Sequence, residues 1–187
     1  EWVGSTKHET PPNVSQQRVI AYLRTLLKKE GVLYVGIENR WFPGYVKRDP
    51  HTKLPYTCVL PRPLANRYAR AHGFKDGYRT YVYSAWSYKR MLRMAGYKQI
   101  EFFYSQPNYR NPSAIFSDQL ETKGYLYQRG HLKEFFTKKW TTLLKTLAFF
   151  RLHTFFLSSF MMISSSHSID RTPSILRIAA KQGLSGV

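Results

Sequence analysis

Residues 26–40 read LLKKEGVLYVGIENR, and this stretch decides the fold expected of the chain. Apolar residues recur at helical spacing before and into it, which predicts an amphipathic helix from about Ser15 to Lys29. Gly31 stands where many helices end on a left-handed residue. The run VLYVGI at 32–37 is short and rich in β-branched residues, which is typical of a strand buried on both faces of a parallel sheet. Helix, glycine turn and strand form half of a βαβ unit and predict an α/β fold.

The same order of elements recurs further along the chain. Ser84 is placed to cap a second helix that ends at Gly96, and residues 100–104 then form a predicted strand. Residues 131–150 show a strong amphipathic helical pattern, and the apolar run at 155–163 is short enough for a strand. The chain therefore alternates helices and strands throughout.

Local signals add detail to the first half of the chain. Asn13 or Ser15 is expected to cap the first helix, which follows a polar loop at residues 5–13. Residues 38–80 are irregular and rich in proline, with one short helix expected near 64–71. A long ordered loop region of this kind usually has a functional role.

Composition limits the class of protein. A chain of 187 residues with 43% hydrophobic and 16% aromatic residues can bury one ordinary core. Its 29 Lys and Arg against 11 Asp and Glu give a net charge of +18, which favours polyanionic partners such as RNA or acidic membranes. The alternative is a basic fragment whose missing half carries compensating acid. The single cysteine, Cys58, excludes an internal disulfide and fits a reducing compartment.

Targeting signals are not evident. The chain opens on Glu1 and shows no secretory signal, so we expect a fragment or processed product in the cytoplasm or an organelle matrix. Residues 143–163 are apolar, but Lys145, Arg151 and His153 would be costly within a bilayer, which argues against a membrane span.

Several segments resemble one bacterial group of class I S-adenosylmethionine-dependent methyltransferases. Residues 26–40 are similar to its LLKPGGxLYxGIENR stretch, with KEG in place of PGG. Residues 1–3 (EWV) resemble the LEWV step that ends the fourth strand of these enzymes. Residues 49–55 (DPHTKLP) resemble a DDHTGLP loop and residues 60–66 (LPRPLAN) a following LPRxLAN. Residues 78–81 (YRTY) precede the next helix as in that group.

The resemblance covers residues 1 to about 112 and implies a partial Rossmann-like methyltransferase sheet. The family's sheet ends in an antiparallel strand pair, which we assign to 100–104 and 155–163. The predicted division is then a methyltransferase-like domain at 1–168, with a helical insertion at 117–154, and a C-terminal tail at 169–187.

The resemblance also implies that the main cofactor groups are missing. The family's glycine-rich loop and the acidic residue that holds the ribose precede the segment matched at Glu1. We therefore expect a missing N-terminal half or a partner chain to supply them. Glu1 and Trp2 are the expected cofactor-binding residues, and binding of S-adenosylmethionine by this chain alone is expected to be weak or absent.

Polar residues after the strand at 32–37 are the first candidates for a site, because ligands of open α/β sheets gather at the carboxyl ends of strands. Glu38 is a candidate catalytic base, or else a structural carboxylate paired with Arg40. Asn39 and Arg40 are candidate substrate-binding residues.

A second catalytic candidate is the loop containing Asp49 and His51. The imidazole of His51 could accept the proton of an attacking hydroxyl while Asp49 fixes its tautomer. The alternative is a histidine that only forms structural hydrogen bonds.

Aromatic and basic residues provide candidate substrate contacts. Trp41, Tyr78, Arg79 and Tyr81 are the members expected to bind substrate, because flat rings stack on sugars or bases and guanidinium binds phosphate. The alternative is a tyrosine-rich lid packed on the sheet. The histidines show no metal-ligand spacing, so no metal site is expected.

The sequence is compatible with three functions. The first is a methyltransferase-like protein that, when complete, transfers a methyl group to a hydroxyl of a glycan or small molecule. The second is a non-catalytic basic protein of the same fold that binds RNA in a ribonucleoprotein such as a ribosome. The weaker third is a peripheral membrane protein that docks through residues 131–150.

Overall fold

A computed structural model of the chain describes residues 3, 10–106, 108–112, 114–116, 138–150 and 152–167. Five helices, four strands and one 3₁₀ turn lie within this part of the chain. In chain order they are α1 (Pro12–Leu26), β1 (Val32–Glu38), α2 (Gly44–Lys47), α3 (Arg62–Ala71), α4 (Ala85–Met94), β2 (Gln99–Gln106), β3 (Ala114–Phe116), α5 (Lys138–Phe149), the 3₁₀ turn His153–Phe155, and β4 (Ser159–Ser165).

The four strands form one sheet in the order β1-β4-β2-β3, and every described pair is antiparallel. Strands β1 and β2 therefore run in the same direction, with β4 running against both of them. The α/β class is confirmed at this coarse level. The predicted antiparallel pair is also present as β2 and β4, although residues 153–155 form the 3₁₀ turn and the strand begins at Ser159.

Strand β1 forms where it was predicted, but its surroundings differ from the prediction. Its described partner is β4, which is antiparallel, so the expected parallel neighbours are not found in this part of the chain. Val32 and Tyr34 are 43% and 52% exposed, so the strand is not buried on both faces. A continuous apolar run indicates a strand with buried side chains. It does not specify whether the neighbouring strands are parallel or antiparallel.

One edge of β1 faces away from β4. The backbone N–H of Asn39 donates to the carbonyl of Ser158 at 2.9 Å, which continues the β1–β4 register by one residue. Because antiparallel strands alternate bonded and non-bonded pairs, the N–H groups of Tyr34 and Gly36 point to the opposite edge. No strand among the described residues pairs with that edge.

The main core lies between one face of the sheet and the helices α1 and α4. Ile37 of β1 and Phe160 and Met162 of β4 pack there against Tyr88 and Leu92 of α4. The ring of Phe160 makes an edge contact with the ring of Tyr88, with centroids 6.1 Å apart. Ile20 of α1 is partly buried against the same cluster.

The helix ends were predicted with mixed success. Helix α1 begins at Pro12 with Pro11 in the capping position and no side-chain cap, so the predicted caps Asn13 and Ser15 are wrong and lie inside the helix. Proline is favourable in a first turn because its φ is already helical. Gly31 is not among the glycines with positive φ, so its predicted left-handed role is wrong as well.

Helix α4 matches its prediction closely. The Ser84 hydroxyl accepts a hydrogen bond from the backbone N–H of Ser87 at 3.3 Å, and Gly96 adopts a φ of +90° just after the helix. A side chain would be strained at that angle, which explains the glycine. Helix α3 occupies the place of the short helix expected at 64–71.

Some elements were missed, and some predictions lie outside the described residues. Helix α2 and strand β3 were not predicted. Helix α5 covers residues 138–149 of the predicted 131–150 helix, while most of the proposed insertion, the tail and most of the loop at 5–13 lie outside the described parts. Among the described helices, none has the length and apolar character needed to cross a membrane.

Candidate functional site

The carboxyl end of β1 is held by a dense set of polar contacts. The Glu38 side chain is buried, and its Oε1 accepts hydrogen bonds from the Tyr109 hydroxyl at 3.5 Å and from Arg110 Nη2 at 3.3 Å. The predicted pairing of Glu38 with Arg40 is therefore wrong, because Arg110 from the segment after β2 forms the ion pair. Glu38 combines burial with a charged partner, which suits a positioned carboxylate.

Gly36 explains how that segment reaches β1. The ring of Tyr109 lies so close to Gly36 that an added Cβ would sit 2.5 Å from Tyr109 Cδ2. Only a residue without a side chain allows this approach. The glycine thus lets residues 108–112 cover the end of β1 and place Tyr109 and Arg110 on Glu38.

Asn39 is almost fully buried and links β1 to the turn before β4. Its side-chain amide donates to the carbonyl oxygens of Phe155 at 2.7 Å and Leu157 at 2.8 Å, while its Oδ1 accepts from the N–H of Trp41 at 3.1 Å. These bonds use both amide hydrogens of the side chain and its oxygen. The structure therefore places Asn39 as a connector, which differs from its predicted role in substrate binding.

Arg40 is likewise engaged with backbone. Its guanidinium donates to the carbonyls of Cys58 at 3.0 Å, Val59 at 3.3 Å and Leu60 at 2.8 Å. Burial, together with the nearby charge of Arg62, lowers the pKa of Arg40. The three bonds fix the 58–60 segment against the end of β1, so most of the donors predicted to bind substrate hold the loop instead.

The loop at 49–52 is organised by Asp49. This fully buried carboxylate accepts hydrogen bonds from the backbone N–H groups of His51 at 2.8 Å and Thr52 at 2.9 Å through Oδ1. Its Oδ2 accepts from the Tyr78 hydroxyl at 3.3 Å. The predicted contact between Asp49 and the imidazole is therefore wrong, because the carboxylate bonds to the backbone of the loop. His51 itself is half-buried at the surface of the loop.

Cys58 and Tyr78 lie in the same buried cluster as Asp49. Burial, followed by the charge of Asp49, raises the pKa of the Cys58 thiol to about 12. Burial also raises the pKa of the Tyr78 hydroxyl. Both groups stay protonated at neutral pH, which excludes a nucleophilic thiolate here. This cluster is a structural polar core rather than a reactive centre.

Arg62 is the central residue that the sequence analysis did not identify. Its guanidinium carbon lies 4.1 Å from the ring centroid of Tyr81, 5.3 Å from that of Tyr78 and 5.5 Å from that of Tyr83. Its Nη2 donates to the carbonyl of Val82. The sequence feature that could have identified Arg62 is its position in the LPRPLAN segment, which resembles the LPRxLAN motif.

The tyrosines around Arg62 form a packed layer. Tyr78 is 1% exposed and Tyr81 9%, and their rings stack with centroids 5.8 Å apart. The Tyr83 hydroxyl donates to Gln16 Oε1 at 2.7 Å, which fastens the layer to α1. Burial raises the pKa of Tyr83 to about 12. This arrangement favours the tyrosine-rich lid over an open stacking platform for Tyr78 and Tyr81.

Two predicted substrate residues remain at the surface or near it. Trp41 is 42% exposed, with the Arg40 guanidinium carbon 5.1 Å from its ring centroid. Arg79 is half-buried and donates to the carbonyl of Thr10 at 2.9 Å. The predicted cofactor residues Glu1 and Trp2 lie outside the described residues. The accessible candidates are thus Trp41 and His51, which follow β1.

No group of side chains in the described ranges is arranged to hold a metal ion. Comparison of the chain with protein-family models, curated proteins and solved structures finds no match.

Proposed function

We propose that this chain forms the distal part of a class I S-adenosylmethionine-dependent methyltransferase domain. When complete, the domain would transfer a methyl group to a hydroxyl of a glycan or small molecule. Support comes from the resemblance of residues 26–40, which lie in β1 and on either side of it. The antiparallel pair of β2 and β4 is a second support, since the family's sheet ends in such a pair.

The open edge of β1 is the observation on which the proposal depends most. The N–H groups of Tyr34 and Gly36 point to that edge, and α1, which precedes β1 in the chain, exposes apolar side chains. Tyr22 is 62% exposed and Leu26 60%, while Val32 and Tyr34 are exposed on β1 itself. Unpaired backbone beside exposed apolar residues is costly in water. Both costs are relieved if another strand and helix extend the sheet there.

The described residues alone do not fit the cofactor. Their glycines with positive φ are Gly73, Gly77 and Gly96, which are isolated and lie beside the ends of helices α3 and α4. A cofactor held by backbone needs several such residues in one loop. In the proposal, bound S-adenosylmethionine supplies the activated methyl group, and the half that extends the sheet holds it.

This chain would supply the acceptor side. A hydroxyl that becomes an ether must lose its proton, and the half-buried imidazole of His51 is the candidate to receive it. The exposed ring of Trp41 offers a flat surface for a sugar. The buried Glu38, which pairs with Arg110, lies at the end of β1 and is the third candidate residue on the acceptor side.

The proposal is tested by restoring the missing half. The chain is fused behind the glycine-rich half of one of the bacterial methyltransferases whose motifs it resembles, and S-adenosylmethionine binding is measured by titration calorimetry. We expect binding by the fusion and none by this chain alone. A folded fusion whose glycine-rich half is intact but which gives no heat would refute the proposal.

A proline pair tests the role of the β1 edge. Tyr34→Pro removes an N–H that points to the open edge, so we expect the chain to stay folded while cofactor binding by the fusion falls at least about ten-fold. Val35→Pro removes an N–H that bonds to β4 and should unfold the chain itself. Equal behaviour of the two variants would show that the open edge pairs with nothing.

RNA binding is a second candidate with an observation of its own, the basic outer surface of α1 and α4. Docking on a membrane through residues 131–150 stays a prediction from the sequence.

A further inference from the structure

Helices α1 and α4 lie side by side and present a common outer face. The side-chain amide of Gln17 donates to the carbonyl of Met91 at 3.0 Å, and Arg24 Nε donates to the carbonyl of Gly96 at 3.1 Å. Ile20 of α1 and Tyr88 and Leu92 of α4 pack into the core cluster of the sheet. The sides of the two helices that face away from this cluster form one surface, which we call the α1/α4 face.

The α1/α4 face is strongly basic. Residues 12–30 and 85–98 contain a single acidic residue, Glu30. The exposed cations of the two segments are Arg18, Lys28, Lys29, Arg90, Arg93 and Lys98. Since the opposing charge on these segments is so small, the face should attract a polyanion.

An exposed aromatic ring lies beside one of these cations. Trp86 is 67% exposed, although large aromatic side chains are usually mostly buried. The guanidinium carbon of Arg90 lies 5.9 Å from the ring centroid of Trp86. Flat rings beside guanidinium groups are the pattern that binds unpaired bases and their phosphates together.

We propose that the α1/α4 face binds single-stranded nucleic acid. The ring of Trp86 stacks on a base, while Arg90, Arg93 and Lys98 neutralise phosphates. A membrane fits less well, because helices that lie in a bilayer surface direct a wide continuous apolar strip towards the lipid. On the exposed side of α4, Trp86 and Met94 are interrupted by the exposed Arg90 and Arg93, so α4 presents no such strip. The inference does not depend on the methyltransferase proposal, since it uses different side chains and a different ligand.

The test compares two variants of equal charge by fluorescence anisotropy with labelled 20-nucleotide single-stranded RNA and DNA. The face variant is Arg90→Gln, Arg93→Gln, Lys98→Gln, and the control is Arg67→Gln, Arg70→Gln, Lys75→Gln on the exposed side of α3 and just after it. We expect the face variant to bind at least about ten-fold more weakly, with a salt dependence flatter by about two counterions. The control should lose no more than about two-fold.

Substitutions of Trp86 test the stacking itself. Trp86→Ala should weaken binding about ten-fold, and Trp86→Phe should restore most of the affinity because it keeps a ring. Circular dichroism and urea titration confirm that each variant is folded before its affinity is compared.

Further binding measurements distinguish RNA, DNA and membranes as ligands. Binding of RNA, of DNA or of both would support the inference, and a stronger affinity for one of them would identify the source. Equal loss in the face and control variants would overturn it, because binding would then follow total charge alone. Binding to vesicles with 30% phosphatidylserine but to neither nucleic acid would also overturn it.

Discussion

Strands β1 and β4 pair along their whole length, yet they differ in burial. Strand β4 has the sequence SFMMISS and is buried except at the half-buried Ile163, because it has a partner on each side. Strand β1 has the more apolar sequence VLYVGIE, but its first half is largely exposed. The comparison shows that the apolar content of β1 exceeds what its described neighbours cover. This excess is the pattern expected of a strand from the interior of a larger sheet.

The largest expected effect concerns the centre of β4. Phe160→Ala should lower the free energy of unfolding by about 3–5 kcal/mol, because it removes a fully buried ring that contacts Tyr88 and Phe102. Urea titration followed by circular dichroism measures the change. A loss below about 1 kcal/mol would mean that β4 is not the centre of the core.

The next effect concerns the junction where β1 meets the turn before β4. Asn39→Ala should cost about 2–3 kcal/mol, because it leaves the carbonyls of Phe155 and Leu157 without their amide donors. The exposed Asn13→Ala provides the control and should change stability by no more than about 0.5 kcal/mol. Similar values for both asparagines would contradict the connecting role of Asn39.

A pH effect follows from the raised pKa of Cys58. Its pKa is about 12 in the folded chain against an ordinary value of 9.0, so the unfolded chain releases this proton first as pH rises. The stabilisation is complete below pH 9 and is lost as pH rises towards 12, with a loss of about 1–2 kcal/mol near pH 10.5. Urea midpoints of the wild type and of Cys58→Ala, at pH 8 and 10.5, measure it. An equal fall in both proteins would assign the loss to other groups.

The smallest effect is expected at the exposed half of β1. Tyr34→Ala should change the stability of this chain by no more than about 0.5 kcal/mol, since the side chain is 52% exposed. The same substitution in the fusion with a glycine-rich half should cost more, because the ring would then be covered. Calorimetric unfolding of both proteins gives the comparison, and equal small values would count against an extended sheet.

Local signals in the sequence predicted most of the elements. The α4 boundaries followed from Ser84 and Gly96, whose roles depend on the nearest few residues. The caps of α1 failed because two prolines begin that helix without help from a side chain. The direction of the neighbours of β1 could not be predicted, because pairing depends on which distant strand arrives beside it.

The polar residues proposed as a site make contacts that differ from their predicted roles. Asn39, Arg40 and Asp49 do converge after β1, yet they bond to backbone groups that are remote in sequence or within their own loop. A sequence shows which polar residues are available, but it does not show which carbonyls will need them once they are buried. Arg62 was missed for the same reason, since its three tyrosine contacts come from residues 78–83.

The close approach of Tyr109 to Gly36 makes these two positions interdependent. Since the tyrosine ring occupies the space of a side chain at position 36, any larger residue there requires a smaller one at 109. Related sequences should therefore vary at the two positions together, and an alanine at 36 alone should displace Arg110 from Glu38. A single hydrogen in place of a methyl group thus determines how the acidic end of the strand is neutralised.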